Sequence, residues 1–367
     1  MEASSPDISV VIPSLDEVSA LPRLLETLSR QAGVSLEVVV ADGGSRDGTL
    51  AACHSAATRL GFPVVAVEAP PGRGRQMNRG ARPCRAPDLL FLHADSAIED
   101  DLLLARARER MDAERRLRGT QRIAGHFGLR FVRSEPGESG GYYFFEAKTR
   151  LNRPGCLNGD QGFWLRRDYF EELGGFDESL PYMEDARLAA RVFETGAWIT
   201  LPGRLGTSAR RFETEGLRRR QALNALLRNC DAIGLDGFFE AAAGAYREQS
   251  RVESLRIGPF LALAHRTAVA EGLRRAVGHW HRTGRYVASN AWQLAFAIDC
   301  ARSRRSGYPP GEGPTRWLDR FDRWAGPLCG SAPAGAVAAL LTALCFYGAL
   351  GFSLAGEARK RRMKDEG

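Results

Sequence analysis

Four short apolar runs constrain this chain more than any other feature: ISVVIP (8–13), LEVVVAD (36–42), FPVVAVEA (62–69) and DLLFLHAD (88–95). Each is rich in Val, Leu and Ile without polar alternation, so each predicts a strand buried on both faces. Helically spaced segments such as ALPRLLETLSRQA and GTLAACHSAATRLG separate the first three. That alternation predicts a parallel sheet with helices on both sides, and such sheets take ligands at the carboxyl ends of their strands.

PSLDE, DGGSRDGT and HADS each follow a strand directly, which gathers Glu17, Asp42, Asp47 and Asp95 along one edge. Asp and Ser at such places also cap the next helix. Asp47, just ahead of GTLAACHSAA, fits either use, whereas two acids at equivalent strand ends, Asp42 and Asp95, point to chemistry. From 121 onwards RIAGHFGLRFV, GGYYFFEAKTRLN and CLNGDQGFW predict shorter strands of mixed direction. A helix is then expected to open near Asp185, with Leu188, Val192 and Phe193 on one face and Arg187 and Arg191 on another.

Beyond 236 the alternation gives way to long Arg-studded helical segments, and SGYPPGEGP (306–314) reads as a linker. Residues 325–356 carry no formal charge, and Ala334–Ala355 is long enough to span a bilayer. Gly335, Gly348 and Gly351 weaken a straight span, and a single crossing would put the basic ARKRRMK (358–364) outside. A monotopic or re-entrant attachment, with the basic tail on anionic lipid, avoids that conflict. The expected divisions are 7–235, 236–325 and 326–367.

The net charge of +7 does not imply nucleic acid: Lys occurs only at 148, 360 and 364, and the arginines are spread along the chain without interleaved aromatics. Seven scattered cysteines (53, 84, 156, 230, 300, 329, 345) include no CxxC pair, which fits reduced thiols in the cytoplasm. MEASSPDISVVIP places acids where a signal peptide needs bases, so no export signal is expected. His279-Trp280-His281 has no partner at metal-ligand spacing and reads as a packing feature.

The order VVIPSLDE, VVVADGGSRDGT, LLFLHADS and GGFDESLPYMEDARLAAR resembles the nucleotide-sugar-dependent family 2 glycosyltransferases, over about residues 7–215. HADS, GDQGFW, MEDARLAAR and TSARRFE look most like a bacterial subgroup labelled radical-SAM/selenodomain-associated or arsenosugar-biosynthesis transferases. The resemblance implies an α/β fold of GT-A (Rossmann-like) type, a mixed sheet with helices on both faces, followed by a helical C-terminal extension. It implies that Asp95, the last acid of the usual Asp-x-Asp, holds Mg2+ or Mn2+, with His93 in the first acid's place near ribose or phosphate. Asp42 would read the base, with Gly43 replacing a second acid. Pro13, Ser14 and Glu17 would surround base and ribose, and Leu15 stands where an aromatic often stacks. Arg73 and Arg75, in PPGRGRQMNRGA, and Arg210 and Arg211 would face donor phosphates. Asp185 would be the catalytic base, Glu184 an acceptor-orienting or capping residue, and Asp160, Gln161 and Trp164 an acceptor wall.

Chemistry explains such a set. Breaking the anomeric bond leaves negative charge on a diphosphate, which a cation stabilises. A hydroxyl acceptor needs a carboxylate to take its proton. One base suffices for inversion, whereas retention by two displacements needs a separate nucleophile. The expected donor is a UDP-sugar and the acceptor a lipid or small metabolite, at the inner face of a membrane. Two other readings stay open. A nucleotidyltransferase would carry a glycine-rich GxGxR loop where PSLDE stands, and a non-catalytic nucleotide-sugar-binding protein would fit the incomplete acid pairs.

Overall fold

The computed structural model describes residues 5–134, 139–249 and 255–365, without the side chains of 246–249 and 357–365. The chain divides into two compact units, Met1–Ala209 and Arg210–Gly367.

The first unit holds seven strands: β1 (Ile8–Ser14), β2 (Leu36–Asp42), β3 (Val64–Glu68), β4 (Asp88–Phe91), β5 (Ile123–Val132), β6 (Phe163–Arg166) and β7 (Ala197–Ser208). Its helices are α1 (Leu21–Ser29), α2 (Thr49–Ala57), α3 (Arg73–Ala81), α4 (Leu103–Arg118), α5 (Gly140–Lys148), α6 (Arg167–Glu172) and α7 (Glu184–Thr195). The strands form one sheet in the order β3-β2-β1-β4-β6-β5-β7. Only β6 is reversed, pairing antiparallel with β4 and β5 while the other pairs are parallel. The mixed α/β sheet expected from the sequence is therefore present.

Alternate residues of the central strands enter two separate cores, which is why their sequences are apolar throughout. Val10, Ile12, Val38 and Val40 pack with Leu21, Leu24 and Leu25 of α1 and Leu104 and Met111 of α4. Val11 and Val39 face Met77 of α3, Tyr169 and Phe170 of α6, and Leu188 and Val192 of α7. Two glycines let α3 come close: a Cβ on Gly80 would lie 2.6 Å from Val11 Cγ1, and one on Gly74 would lie 2.9 Å from the Asp177 carbonyl oxygen.

The aromatic run GGYYFFEAK folds as helix α5, not as the expected strand. Its Tyr142 ring packs on Phe131 of β5 at 5.2 Å, and Glu146 accepts a hydrogen bond from Phe131 N at 2.8 Å. Residues 142 and 146 stand about one helical turn apart, so one face of α5 serves β5.

The second unit is helical throughout: α8 (Arg210–Glu215), α9 (Leu217–Ala232), α10 (Gly237–Gln249), α11 (Gly258–Ala270), α12 (Leu273–Ser289), α13 (Trp292–Arg305), α14 (Arg316–Arg320), α15 (Gly326–Cys329) and α16 (Ala332–Asp365). The helical extension is present; within the second unit, which starts at Arg210, Asn229 Nδ2 of α9 donates to Thr283 Oγ1 of α12 at 3.1 Å. Residues 358–364 continue α16, and their side chains lie outside the described residues. α16 is one unbroken helix, so the re-entrant hairpin allowed by its glycines does not form. His279 is a packing residue: its Nε2 meets Glu271 at 2.9 Å and its Nδ1 meets Arg282 at 2.7 Å. All seven cysteines are free, and burial pushes the Cys84, Cys230 and Cys300 thiols up to about 12.

One buried ion pair braces the sheet. Arg115 Nη1 and Nη2 at the end of α4 donate to the two carboxylate oxygens of Asp88, at the start of β4, at 2.9 and 2.8 Å. Removing one partner strands a buried charge, which typically costs about 3–5 kcal/mol. Arg115→Met is expected to lower the urea-unfolding free energy by about that amount, and Arg115→Met with Asp88→Leu to recover most of it.

Candidate functional site

The reversal at β6 builds the site. Phe91, the last residue of β4, lies opposite Phe163, the first of β6. The chain leaving β4 (His93–Asp95) and the chain entering β6 (Gly159–Gln161) therefore share one sheet edge, which is also the carboxyl end of β1 and β2.

His93 and Asp160 meet there, His93 Nδ1 standing 2.6 Å from Asp160 Oδ1. His93 Nε2 is buried and has no protein partner. It points towards Gly159, where a Cβ would lie 3.0 Å from it and 3.4 Å from Asp185 Oδ2. Gly159 N donates to Asp185 Oδ2 at 2.7 Å, and Ala186 N donates to Asp185 Oδ1 at 2.7 Å. Asp185 is the second residue of α7 and not its N-cap, which is Met183 in the left-handed region at φ 73°. Its carboxylate faces the site from the positive end of a helix.

Arg73 opens α3 and its Nε lies 3.4 Å from Glu184 Oε1. Burial works against its charge, but Glu184, Asp185, Asp160 and Asp95 together raise its pKa. Glu184 is almost wholly buried, and burial raises its pKa despite Arg73; the neighbouring Asp185 pushes in the same direction. α3 is anchored to the approach to α7 by Asn78, whose Nδ2 donates to Phe176 O at 2.9 Å and whose Oδ1 accepts from Phe176 N at 2.8 Å. Arg187 Nη1 holds Asp177 at 3.0 Å in the same connection.

A layer behind the site fixes the turn before β6. Gln161 is fully buried; its Oε1 accepts from Asn158 N at 2.9 Å, and its Nε2 donates to Thr149 O and His126 Nδ1, each at 2.9 Å. His126 Nε2 then donates to Asn152 Oδ1 at 2.6 Å, and burial lowers the His126 pKa, so this imidazole is a neutral spacer. The Asn-x-x-Gln spacing of 158–161 is a capping-box pattern legible in sequence. His126, Asn152 and Gln76 carried no such signal.

Among the residues expected from the sequence, Arg73, His93, Asp95, Asp160, Glu184 and Asp185 come together, with Asp95 exposed. Pro13 and Ser14 end β1, and Ser14 Oγ is buried without a protein partner. Glu17 serves through its backbone, its carbonyl accepting from Ala20 N and Leu21 N at 3.2 and 3.0 Å as α1 begins. Asp42 is buried and committed to its own loop: Oδ2 accepts from Gly44 N and Ser45 N at 2.9 and 3.0 Å, and Oδ1 accepts from Ser45 Oγ. It therefore shapes the loop first, and Gly43 beside it is roofed by Gln76, 2.9 Å from where a Cβ would stand. Asp47 ties loops together, accepting from Val18 N and Thr49 N at 3.0 Å each. Arg75 is exposed, and Arg210 and Arg211 are the first two residues of the second unit.

Two expectations are corrected. Trp164 is fully buried in the sheet core among Leu90, Leu92 and Phe127, so it offers no face to an acceptor. Gln161 spends its amide on the supporting layer just described. Of GDQGFW, Asp160 reaches the site.

The donor set also bears on a cation. No cluster of three or more His, Cys, Asp or Glu able to hold a metal occurs among the described residues. Asp95 has no side-chain partner, and Mg2+ or Mn2+ commonly takes one or two carboxylates and completes its shell with phosphate oxygens and water. Four carboxylates around one guanidinium leave an excess of negative charge, which suits a further cation. Asp95 fits that role.

Residues 9–174 match the family model described as Glycosyl transferase family 2. A PGL/p-HBAD biosynthesis glycosyltransferase of Mycobacterium bovis is 35% identical over 104 residues, 28% of this chain and 41% of that protein. An undecaprenyl-phosphate 4-deoxy-4-formamido-L-arabinose transferase of Pseudomonas fluorescens is 37% identical over 93 residues, 24% of this chain and 27% of that one. The chain thus spans less than half the length of these curated relatives. Among solved structures, a mannosyltransferase from Pyrobaculum calidifontis in complex with GDP-Man and Mn2+ aligns over 88% of each chain, with a TM-score of 0.49 and 18% identity.

Glu184 supplies a test of the site's electrostatics. Its folded pKa lies above the ordinary value of 4.5, so the native state binds this proton more tightly than the unfolded chain. The stability it contributes is full below the unfolded value and is lost as pH rises through the folded one. Urea midpoints measured from pH 4.5 upwards should fall for the wild type and fall less for Glu184→Gln.

Proposed function

We propose that the protein is an inverting glycosyltransferase that moves a sugar from a nucleoside diphosphate, a UDP-sugar by the reading of its motifs, to an acceptor hydroxyl. The observation that carries this reading is the hydrogen bond from Gly159 N to Asp185, which sets a carboxylate of α7 beside His93 and Arg73 at the strand edge.

In this mechanism Asp185 takes the acceptor's proton. Both of its oxygens accept backbone N–H bonds, which fix the carboxylate while leaving lone pairs for the incoming hydroxyl. Arg73 carries the positive charge closest to the acids and meets the departing diphosphate. His93 is oriented by Asp160, and its Nε2 is left to hydrogen-bond the donor. A divalent cation, when bound, neutralises charge on the diphosphate, and Asp95 is the carboxylate that would hold it. A single positioned base suits direct displacement and hence inversion.

The relatives named for lipid-linked chemistry and the apolar α16 favour a lipid or lipid-linked acceptor and attachment at the inner face of a membrane. HADS with MEDARLAAR and TSARRFE keeps the radical-SAM-associated or arsenosugar subgroup as the narrower assignment, in which the acceptor is a small metabolite.

Removal of a general base typically costs about 10²–10⁴-fold in rate. Asp185→Asn is expected to lose transfer on that scale while UDP affinity, read by calorimetry with Mn2+, stays within about threefold. Equal turnover of mutant and wild type would overturn the assignment of the base. Asp95→Ala is expected to abolish the Mn2+ dependence of UDP binding.

A further inference from the structure

α16 is covered along one flank only. It runs antiparallel to α12, with Gly284 facing Gly335 and Ala339, and Trp280 against Phe346 and Tyr347 at 5.5 and 5.7 Å. Tyr347 also meets His265 of α11 at 3.3 Å, and Ser353 lies against Gly258 at the start of α11. Contact therefore extends from 335 to 353, about 27 Å at the helical rise.

The opposite flank is apolar and bare. Leu340 and Leu344 are each 63% exposed and Phe352 is 85% exposed, with Val337 and Leu341 between them. The 25 residues Ala332–Gly356 are long and apolar enough to cross a membrane. The packing argues against crossing, because α12, held along the same length, exposes Arg274, Arg275, Arg282 and Arg285. A spanning α16 would draw these charges into hydrocarbon, where ionised side chains are costly.

The ends of the apolar flank carry interfacial side chains. Ahead of it, Trp324 is 73% exposed and Arg320 stacks over Trp317 at 5.4 Å. Behind it the sequence reads Arg359, Lys360, Arg361, Arg362 and Lys364. Tryptophan and basic residues at the ends of an apolar segment mark a membrane–water boundary. A second copy of the chain would present the same positive charge to itself, whereas an anionic leaflet complements it.

We propose that α16 lies in the plane of an anionic bilayer, with Val337, Leu340, Leu341, Leu344 and Phe352 inserted and the α12 flank facing water. This inference rests on the membrane-attachment reading above and specifies its mode.

The test is flotation of the full chain with phosphatidylglycerol vesicles and with phosphatidylcholine vesicles, for wild type and Leu340→Glu/Leu344→Glu. In-plane docking predicts co-flotation with phosphatidylglycerol, at least tenfold weaker binding to phosphatidylcholine, release by alkaline carbonate, and at least tenfold loss in the double variant. Thermal unfolding and UDP calorimetry of the variant should match the wild type, since both leucines are solvent-facing; unchanged UDP binding also separates this test from the transferase reading. Resistance to carbonate would overturn the proposal in favour of a spanning helix. Absence of vesicle binding would overturn it as well, and a lipid-free dimer dispersed by the variant would identify a second copy as the occupant.

Discussion

The site depends on one backbone hydrogen bond, from Gly159 N–H to the Asp185 carboxylate. It joins two parts of the chain that have separate origins: a turn fixed by strand β6 and the first turn of α7. A Cβ at 159 would stand 3.0 Å from His93 Nε2 and 3.4 Å from Asp185, so a glycine there spares His93 a small shift. On either side the supports are built from amides and carbonyls: Gln161, His126 and Asn152 behind the turn, and Asn78 and Phe176 ahead of α7. The fully buried Gln161 amide holds the turn in one geometry, because displacing it would leave buried polar atoms unpaired.

The charges at this edge do not balance. Arg73 is one guanidinium among four carboxylates, and it stays ionised because they surround it. Glu184, the most buried of the four, relieves part of the excess by favouring its protonated form. Asp160 is paired with His93, and Asp185 is committed to two backbone donors. Asp95 is the exposed one of the four, with no side-chain hydrogen bond among the described residues.

The parallel half of the sheet was legible in the sequence because its inner strands are buried on both faces and so mostly apolar; β3, at the sheet edge, is only half-buried, contrary to the expectation for its run. The acids at their ends were legible for the same topological reason. What eluded the sequence were effects of the third dimension. GGYYFFEAK is an apolar run without a decisive period, so helix and strand were equally compatible until Tyr142 and Glu146 were seen to serve the same strand. Trp164 read as a platform because aromatic rings beside polar residues often are, but β6 is the inner strand between β4 and β5, and its side chains go to the two cores. Asp160 and His93 were assigned to opposite substrates, and only the antiparallel pairing of β4 with β6 shows that their side chains meet.

The helical unit applies a different rule. A helix as apolar as α16 would ordinarily be buried by its neighbours, and here α12 meets it through Gly284 against Gly335 and Ala339, a contact so close that a Cβ on Gly284 would lie 2.7 Å from the Ala339 Cβ. Small residues bring the two backbones together at that crossing, and Trp280 packs on Phe346 and Tyr347 further along the same seam. The bulky residues Leu340, Leu344 and Phe352 are consequently turned outward, away from the seam. Burying them inside the unit would require a further apolar helix on that flank, and the remaining helices are already engaged elsewhere: α13 holds α14 through Asp299, which accepts from Trp317 N and Leu318 N at 3.0 and 2.8 Å. The exposed stripe is therefore a property of how the bundle closes. In the in-plane attachment proposed for α16, this outward stripe is the face that meets lipid.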